Sequence, residues 1–411
     1  MSSTKSHRLG FVDTQRGVAV LLMMLWHSAD SWIAPDMRSG FTWSVLRFLG
    51  GMAAPSFVFL AGAGVGLKLA ADEEAHRDLH RTSIALAWRG AEIMALGYLL
   101  RLQFWAIDSA GFFAVHGYFA WIPLGVGFAL LLTALGRLAD GTDGRREIIR
   151  LAGGLAVIGL GYAALEWVAP GRLARVLRVD VLQAIGASLT IVSLLAGHLR
   201  RRARTVLYFA LGVAIPFGTS PLREVMPGPL PEALAGYVAA WSVPPGTSSP
   251  TLFPLFPWLS YAFIGAAVGA HWFRIREAPR RTLWIIAFIG LALAIPVAEW
   301  WSFAHRWTTA WPWIVQPGRV LYRIGVVLAL APLAYEFDRL STVLHTFGRT
   351  SLFVYWVHLE FTFGVLAAPL KKSLNLERWF LGFALLVIAM HGLAQFRLGP
   401  FKRWWESRRA T

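Results

Sequence analysis

The sequence contains no cysteine and comparatively few charged residues. Without cysteine, the chain cannot form disulfides, thiolate metal sites or a cysteine nucleophile. Charged residues make up 15% of the chain, well below the roughly 25% of an ordinary soluble domain. Hydrophobic residues make up 56%, and this balance is typical of a polytopic membrane protein. We therefore expect an all-α bundle of transmembrane helices.

The sequence also lacks the short motifs that bind nucleotides or catalytic metals. It has no Walker loop, dinucleotide fingerprint or HExxH motif. The segment GAGVG at 62–66 has no predicted strand before it, so we interpret it as a surface for close helix packing. His, Asp and Glu are too scattered to indicate a metal site, and we expect no metal cofactor.

The net charge of +16 comes from basic residues in short runs between apolar segments. This is how orientation is encoded under the positive-inside rule, and attraction to anionic lipid headgroups would be a secondary effect. No recognition helix or zinc signature accompanies the charge, so we expect no nucleic-acid partner. The basic segments 137–150, 198–204 and 274–281 predict that both termini are cytoplasmic.

Apolar runs predict about ten to twelve transmembrane helices in one domain that covers residues 1–411. The predicted spans lie at about 16–34, 44–68, 84–104, 118–137, 149–168, 179–198, 205–221, 255–273, 283–301, 319–337, 350–368 and 379–396. The longest predicted outer loop, about 222–254, is rich in Pro and Gly. Such a loop is typical of a lid, a binding loop or a flexible connector.

The predicted first span carries a stripe of ionisable residues. Arg16 and His27 are eleven residues apart, about 16 Å along a helix and on nearly the same side. Asp13 precedes Arg16 by one turn, and Asp30 follows His27 by one turn. An ionisable residue within a membrane costs free energy, and such residues usually have a function. The alternative is a polar seam that joins this helix to its neighbours.

This stripe resembles the first span of the transmembrane acyltransferases, including the acyltransferase-3 proteins. The pattern is D-x-x-R-G, an apolar run and H-x-x-D, formed by Asp13, Arg16, Gly17, His27 and Asp30. The closer resemblance is to bacterial relatives of heparan-α-glucosaminide N-acetyltransferase. The further matching segments are AAPSFVFLAGAGVGL (53–67), LRVDVLQAIGASL (177–189), FPLFPWLSYAFIGAAVG (253–269) and, more weakly, GRTSLFVYWVHLE (348–360).

The resemblance implies a membrane-bound acyltransferase of the bacterial inner membrane. Its donor would be cytoplasmic acyl-CoA, with acetyl-CoA implied, and its acceptor a sugar amine or hydroxyl on the outer side. Partners would then be the lipid bilayer, acyl-CoA and a glycan or aminosugar, while assembly into a homo-oligomer stays open. Arg16 lies where anionic CoA would approach, and Asp13 and Arg349 complete the predicted donor-binding residues.

His27 is the predicted catalytic residue. Imidazole titrates near neutrality, so it can take a proton from an attacking amine or hydroxyl. It could instead accept the acyl group itself. Asp30, one turn later, is predicted to orient the imidazole as the Asp of a triad does. The alternative is a histidine with a purely structural role.

A second polar cluster, in RVLRVDVLQAIG, is predicted to bind the acceptor. Asp180 and Gln183 share a helix face because they are three residues apart, and Arg178 precedes them. His358, in the predicted eleventh span, is the fourth predicted acceptor-binding residue. The alternatives are an acidic residue at the positive end of a helix dipole for Asp180 and an interhelical hydrogen bond for His358.

A proton-coupled transporter is the second function that the sequence supports. His27, Asp30 and His358 would then form a proton relay inside the membrane. Transporters of this kind often have matched halves with paired broken helices. We find no such repeat in the sequence, and we therefore favour the acyltransferase.

Overall fold

The computed structural model describes residues 10–108, 126–127, 129–131, 133–134, 144–168, 178–196, 199–226, 228, 230, 232–240, 251–272, 279–304, 312–338, 341–401 and 403. The described residues form α-helices joined by short helical turns and isolated β-bridges, which confirms the predicted all-α class. The helices are α1 (Gly10–Trp32), α2 (Gly40–Gly50), α3 (Ala53–Glu74), α4 (Leu79–Asp108), α5 (Gly144–Val168), α6 (Val181–Ala196), α7 (Arg201–Val225), α8 (Glu232–Val238), α9 (Leu255–Trp272), α10 (Pro279–Ala304), α11 (Pro312–Phe337), α12 (Thr342–Arg349), α13 (Ser351–Thr362) and α14 (Leu376–Phe396).

One predicted span consists of two helices. The predicted second span contains α2 and α3, which are separated by a turn at Gly51 and Met52. The predicted eleventh span, 350–368, contains α13 and begins at Thr350, where φ is −114° and ψ is 17°, whereas α12 precedes this span. The predicted loop 222–254 includes the short helix α8. The predicted span 118–137 lies outside the described residues except for isolated positions.

Several helices present the apolar surface of a membrane protein. Four described helical segments are long and apolar enough to cross a bilayer, and they are Gly40–Glu74, Arg201–Val225, Pro317–Phe337 and Leu376–Phe401. Large apolar side chains of α14, including Phe380, Leu385 and Ile388, are exposed, as expected where the solvent is lipid. The chain is therefore an integral membrane protein, while the total of ten to twelve spans and the cytoplasmic termini stay predictions.

The chain divides into two compact units, each assembled from segments that are distant in sequence. The first unit contains Met1–Leu60, Glu277–Glu299 and Leu321–Thr411, and the second contains Ala61–Arg276 and Trp300–Val320. These boundaries do not follow the linear order of the chain, and one domain over 1–411 stays a prediction.

In the first unit, α1 packs against α2, α12, α13 and α14. The α1–α12 contact depends on two glycines. A Cβ atom on Gly17 would overlap the carbonyl of Leu344, and a Cβ atom on Gly348 would overlap the carbonyl of Asp13. Small residues permit such close approach of helix backbones within membranes. This packing places the first turns of α1 directly against α12.

In the second unit, α4 packs on α6 and α7 packs on α9. Thr190 of α6 donates a hydrogen bond to the carbonyl oxygen of Ala87 in α4 over 3.1 Å. The GAGVG segment of α3 lies against α9, with Gly62 and Gly66 facing the carbonyl groups of Ala262 and Ala266. The sequence-based interpretation of this segment as a packing surface is therefore confirmed.

Candidate active site

His27 of α1 and His358 of α13 form a histidine pair inside the first unit. Nδ1 of His27 lies 2.8 Å from Nε2 of His358. The two rings are nearly parallel, with an interplanar angle of 3° and centroids 5.1 Å apart, so they meet edge to edge through this contact. His358 is fully buried, whereas His27 is partly exposed. Of these two histidines, His27 is therefore the one with accessible surface.

A backbone contact of His358 fixes the proton arrangement of the pair. Nδ1 of His358 lies 2.8 Å from the carbonyl oxygen of Val354, and a carbonyl only accepts, so this nitrogen carries a hydrogen. When both rings are neutral, Nε2 of His358 must accept from Nδ1 of His27. Nε2 of His27 is then left without a hydrogen. That nitrogen has the lone pair that a base or a nucleophile requires.

The end of α1 that carries His27 is anchored to α13 and α14. Ser31 donates a hydrogen bond to the carbonyl oxygen of Thr362. The indole of Trp32 donates to the carbonyl oxygen of Phe361 over 3.2 Å, and the indole of Trp379 in α14 donates to the Ser28 hydroxyl over 3.2 Å. These bonds fix the rotation of α1 relative to α13, which carries His358. These hydrogen bonds therefore fix the relative position of the two helices that carry the histidine pair.

Asp30 pairs with Arg38 in this structure, and its predicted role in orienting His27 stays a prediction. Its carboxylate lies 3.7 Å from Nη1 of Arg38, and the Asp30 side chain is 44% exposed. Arg38 also donates to the backbone oxygen of Asp30 over 2.6 Å. The Arg38 guanidinium thus holds the Asp30 carboxylate near the segment before α2. The imidazole of His27, which Asp30 is predicted to orient, has its Nδ1 next to His358.

The predicted donor-binding residues lie at the other end of α1. Arg16 pairs with Asp13 over 3.3 Å, and the side chain of Arg16 is 26% exposed while that of Asp13 is 4% exposed. Arg349 is exposed at the end of α12, directly after Gly348, which touches the Asp13 backbone. The structure therefore brings these three residues into one region of the first unit.

The same region contains polar residues that the sequence analysis missed. Asp338 accepts a hydrogen bond from Thr14 over 2.7 Å. Nε2 of His345 lies 2.6 Å from the same carboxylate oxygen. His345 and Asp338 flank the start of α12, outside every predicted span, so an argument from intramembrane charges could not single them out.

In the second unit, Asp180 precedes α6 and bonds to its N-terminus. Its carboxylate accepts from the backbone N–H of Val181 over 2.8 Å and lies 3.0 Å from Nη2 of Arg101. Gln183 accepts from the backbone N–H of Asp180 over 3.3 Å. This reciprocal arrangement resembles a capping box. These contacts fit the helix-terminus alternative for Asp180, whose acceptor-binding role stays a prediction, and Arg101 is an additional member of the cluster.

Arg178 lies beside this helix terminus. The adjacent Val179 accepts a backbone hydrogen bond from Leu252 over 2.9 Å, so the end of the predicted outer loop holds this segment. Burial lowers the pKa of Arg178, the nearby Arg101 guanidinium lowers it further, and Asp180 acts in the opposite direction. Arg178, Asp180 and Gln183 belong to the second unit, whereas His358 belongs to the first, where it contacts His27.

Comparison with known proteins gives one family match. The model of the family described as "Heparan-alpha-glucosaminide N-acetyltransferase, catalytic" matches residues 8–295. This range covers more than half of the 411 residues and contains both His27 and the cluster around Asp180. No curated protein matches the chain.

Proposed function

Because the chain belongs to the family of heparan-alpha-glucosaminide N-acetyltransferase catalytic domains, we propose that it transfers an acetyl group from acetyl-CoA to a sugar. The family makes it a membrane enzyme of the acetyltransferase type. The donor, the acceptor and the roles of individual residues are our proposal. The acceptor atom is an amine nitrogen or a hydroxyl oxygen of a glycan or aminosugar.

His27 acts as the general base in this proposal. Its Nε2 takes the proton from the attacking amine or hydroxyl while that atom bonds to the thioester carbonyl carbon. The carbon–sulfur bond then breaks, and the imidazolium returns the proton to the departing thiolate of CoA. The observation that carries this role is the His27–His358 contact of 2.8 Å, which leaves Nε2 of His27 as the unprotonated nitrogen.

The donor would approach from the end of α1 that contains Arg16. A guanidinium pairs well with phosphate groups, and Arg16 and Arg349 both retain exposed surface. Eleven residues of α1 separate Arg16 from His27, about 16 Å along the axis. An extended pantetheine arm would follow α1 from the phosphates toward the histidine pair. Acetyl-CoA used from the cytoplasm of a bacterial cell suits this arrangement.

The transporter alternative receives less support. It requires a relay through His27, Asp30 and His358, but Asp30 pairs with Arg38. The histidine pair alone has a base at one end and the Val354 carbonyl at the other. A carbonyl oxygen does not carry a proton onward at neutral pH, so a relay would stop there.

The test is acetyl transfer by the purified protein. The full chain in detergent is incubated with labelled acetyl-CoA and a panel of aminosugars and neutral sugars, and labelled product is measured. His27→Ala and His27→Gln should each lower the rate by about 10²–10⁴, the usual contribution of a general base. His391→Ala changes another histidine of a membrane helix and serves as the matched control. Full activity of His27→Gln would return His27 to a structural role.

A further inference from the structure

Four buried nitrogen atoms near the start of α6 make no hydrogen bond. They are Nε and Nη2 of Arg101, Nε of Arg178 and Nε2 of Gln183, and none has a hydrogen-bond partner in the described part of the chain, although Nη2 of Arg101 lies in the ion pair with Asp180. Gln183 is fully buried, and its amide oxygen already faces the helix terminus through its bond to the Asp180 N–H. Buried donors without partners are uncommon, and each calls for a physical explanation.

The charges of this cluster do not cancel. Asp180 supplies one carboxylate, and it pairs with Arg101. Arg178 supplies a second guanidinium that takes part in no ion pair among the described residues. The N-terminus of α6 adds the positive end of a helix dipole. A group with several acceptor oxygens and a negative charge would satisfy the free donors and balance this charge.

We propose that Arg101, Arg178 and Gln183 form a binding site for an oxyanion, namely a carboxylate or phosphate carried by the acceptor. The assignment to the acceptor rests on the proposed function, whereas the site itself does not. The enzyme would then select acidic or phosphorylated glycans over neutral ones. Arginine suits this role because its planar fork binds such groups with two parallel hydrogen bonds.

Direct binding to the full chain in detergent, without acyl-CoA, tests the site. The probes are methyl glucuronide, glucose 1-phosphate and, as the neutral counterpart, methyl glucoside. The two anionic probes should bind about tenfold or more tightly than the neutral sugar, as charge-assisted hydrogen bonds are about twice as strong as neutral ones. Equal affinities for all three probes would overturn the proposal.

Arg178→Gln should remove the preference for anionic probes over the neutral sugar. Arg178→Lys keeps the charge but loses the planar fork, so it should retain a weakened preference if the Gln variant does not fold. Arg89→Gln is the control, because Arg89 lies on the same helix as Arg101 and pairs with Glu92 at an exposed position. An unchanged preference in Arg178→Gln would contradict the site.

Two further measurements identify the source of the oxyanion. Addition of phosphatidylglycerol to the detergent should leave the soluble probes bound if the acceptor carries the group. Displacement of the probes by this lipid would support the oxyanion site and identify a lipid headgroup as its occupant. Because no acyl donor is present, binding can succeed where acetyl transfer fails. Conversely, efficient transfer to neutral sugars, unaffected by Arg178→Gln, would refute the selection of acidic acceptors and leave the transferase intact.

Discussion

At the scale of single residues, the histidine pair explains how two ionisable side chains are accommodated within predicted membrane spans. A lone imidazole there would need a partner, since unsatisfied polar groups in an apolar medium are costly. The pair provides that partner, and the Val354 carbonyl provides the next. The result is a series of hydrogen bonds that runs from the Val354 carbonyl through His358 to the partly exposed ring of His27.

His358 should act as a positioning residue for His27. His358→Leu removes the acceptor for Nδ1 of His27, so the two tautomers of His27 become mixed and transfer slows. His358→Gln keeps an acceptor oxygen in reach and should recover part of the rate. Chemical shifts of ¹⁵N-labelled histidine report the tautomer directly: Nε2 of His27 should be unprotonated in the wild type. An unchanged tautomer in His358→Leu would remove this role.

Arg16→Ala should weaken donor binding and leave the fold nearly intact. The Arg16 side chain is 26% exposed, so its loss opens no closed cavity, while a phosphate would lose a bidentate partner. The affinity for CoA, measured by calorimetry on the purified protein, should fall. Arg47→Ala removes an exposed arginine of α2 and should bind CoA as the wild type does. A wild-type affinity in Arg16→Ala would exclude Arg16 from the donor site.

Some of these residues could be predicted from the sequence and others could not, for physical reasons. His27 was recognisable because an ionisable group within an apolar run stands out from its neighbours. Its pairing with His358 was predicted only within the relay of the transporter alternative, because 331 positions separate the two residues and no local period links them. The pairing of Asp30 with Arg38 could not be predicted, because spacing on one helix predicts a shared face but not the neighbouring Arg38 of the following turn. Long-range pairing is decided by packing, which a single sequence does not display.

At the scale of elements, the contact of α1 with α12 is the one on which the donor region depends. It sets Arg349 next to the first turn of α1 through the approach of Gly348 to the Asp13 carbonyl. The sequence predicted a span over 350–368, where α13 occupies Ser351–Thr362, but not the separate helix α12 before it. A hydropathy argument does not select α12, because polar residues interrupt its eight residues.

Gly348→Ala should destabilise the first unit by forcing α12 away from α1. Its new methyl group would overlap the Asp13 carbonyl, and overpacking of this kind typically costs about 1–3 kcal/mol. Thermal unfolding of the purified protein in detergent should show a lower midpoint. Gly392→Ala is the matched control, since no atom lies within 4 Å of the place its new methyl group would take and alanine favours helices by up to about 1 kcal/mol. Equal midpoints for the two variants would show that α12 can shift freely.

At the scale of the whole molecule, charge and hydropathy together predict the orientation in the membrane. The +16 charge is carried by short basic segments, and these stay cytoplasmic under the positive-inside rule. Orientation matters for the mechanism, because the proposed donor enters at the Arg16 end of α1. Each of the two units is assembled from segments that are distant in sequence. This division could not be predicted, since it depends on contacts between segments hundreds of residues apart.

Reporter fusions provide the test of this orientation. Fusions after Arg202 and after Arg276 should report the cytoplasm, because both sites lie in basic segments next to apolar helices. A fusion after Met37, in the short connection between α1 and α2, should report the outer side. Arg16 would then lie at the cytoplasmic end of α1 and His27 nearer its outer end, as transfer from a cytoplasmic donor to an outer acceptor requires. A cytoplasmic signal after Met37 would invert α1 and place Arg16 on the side opposite to acetyl-CoA.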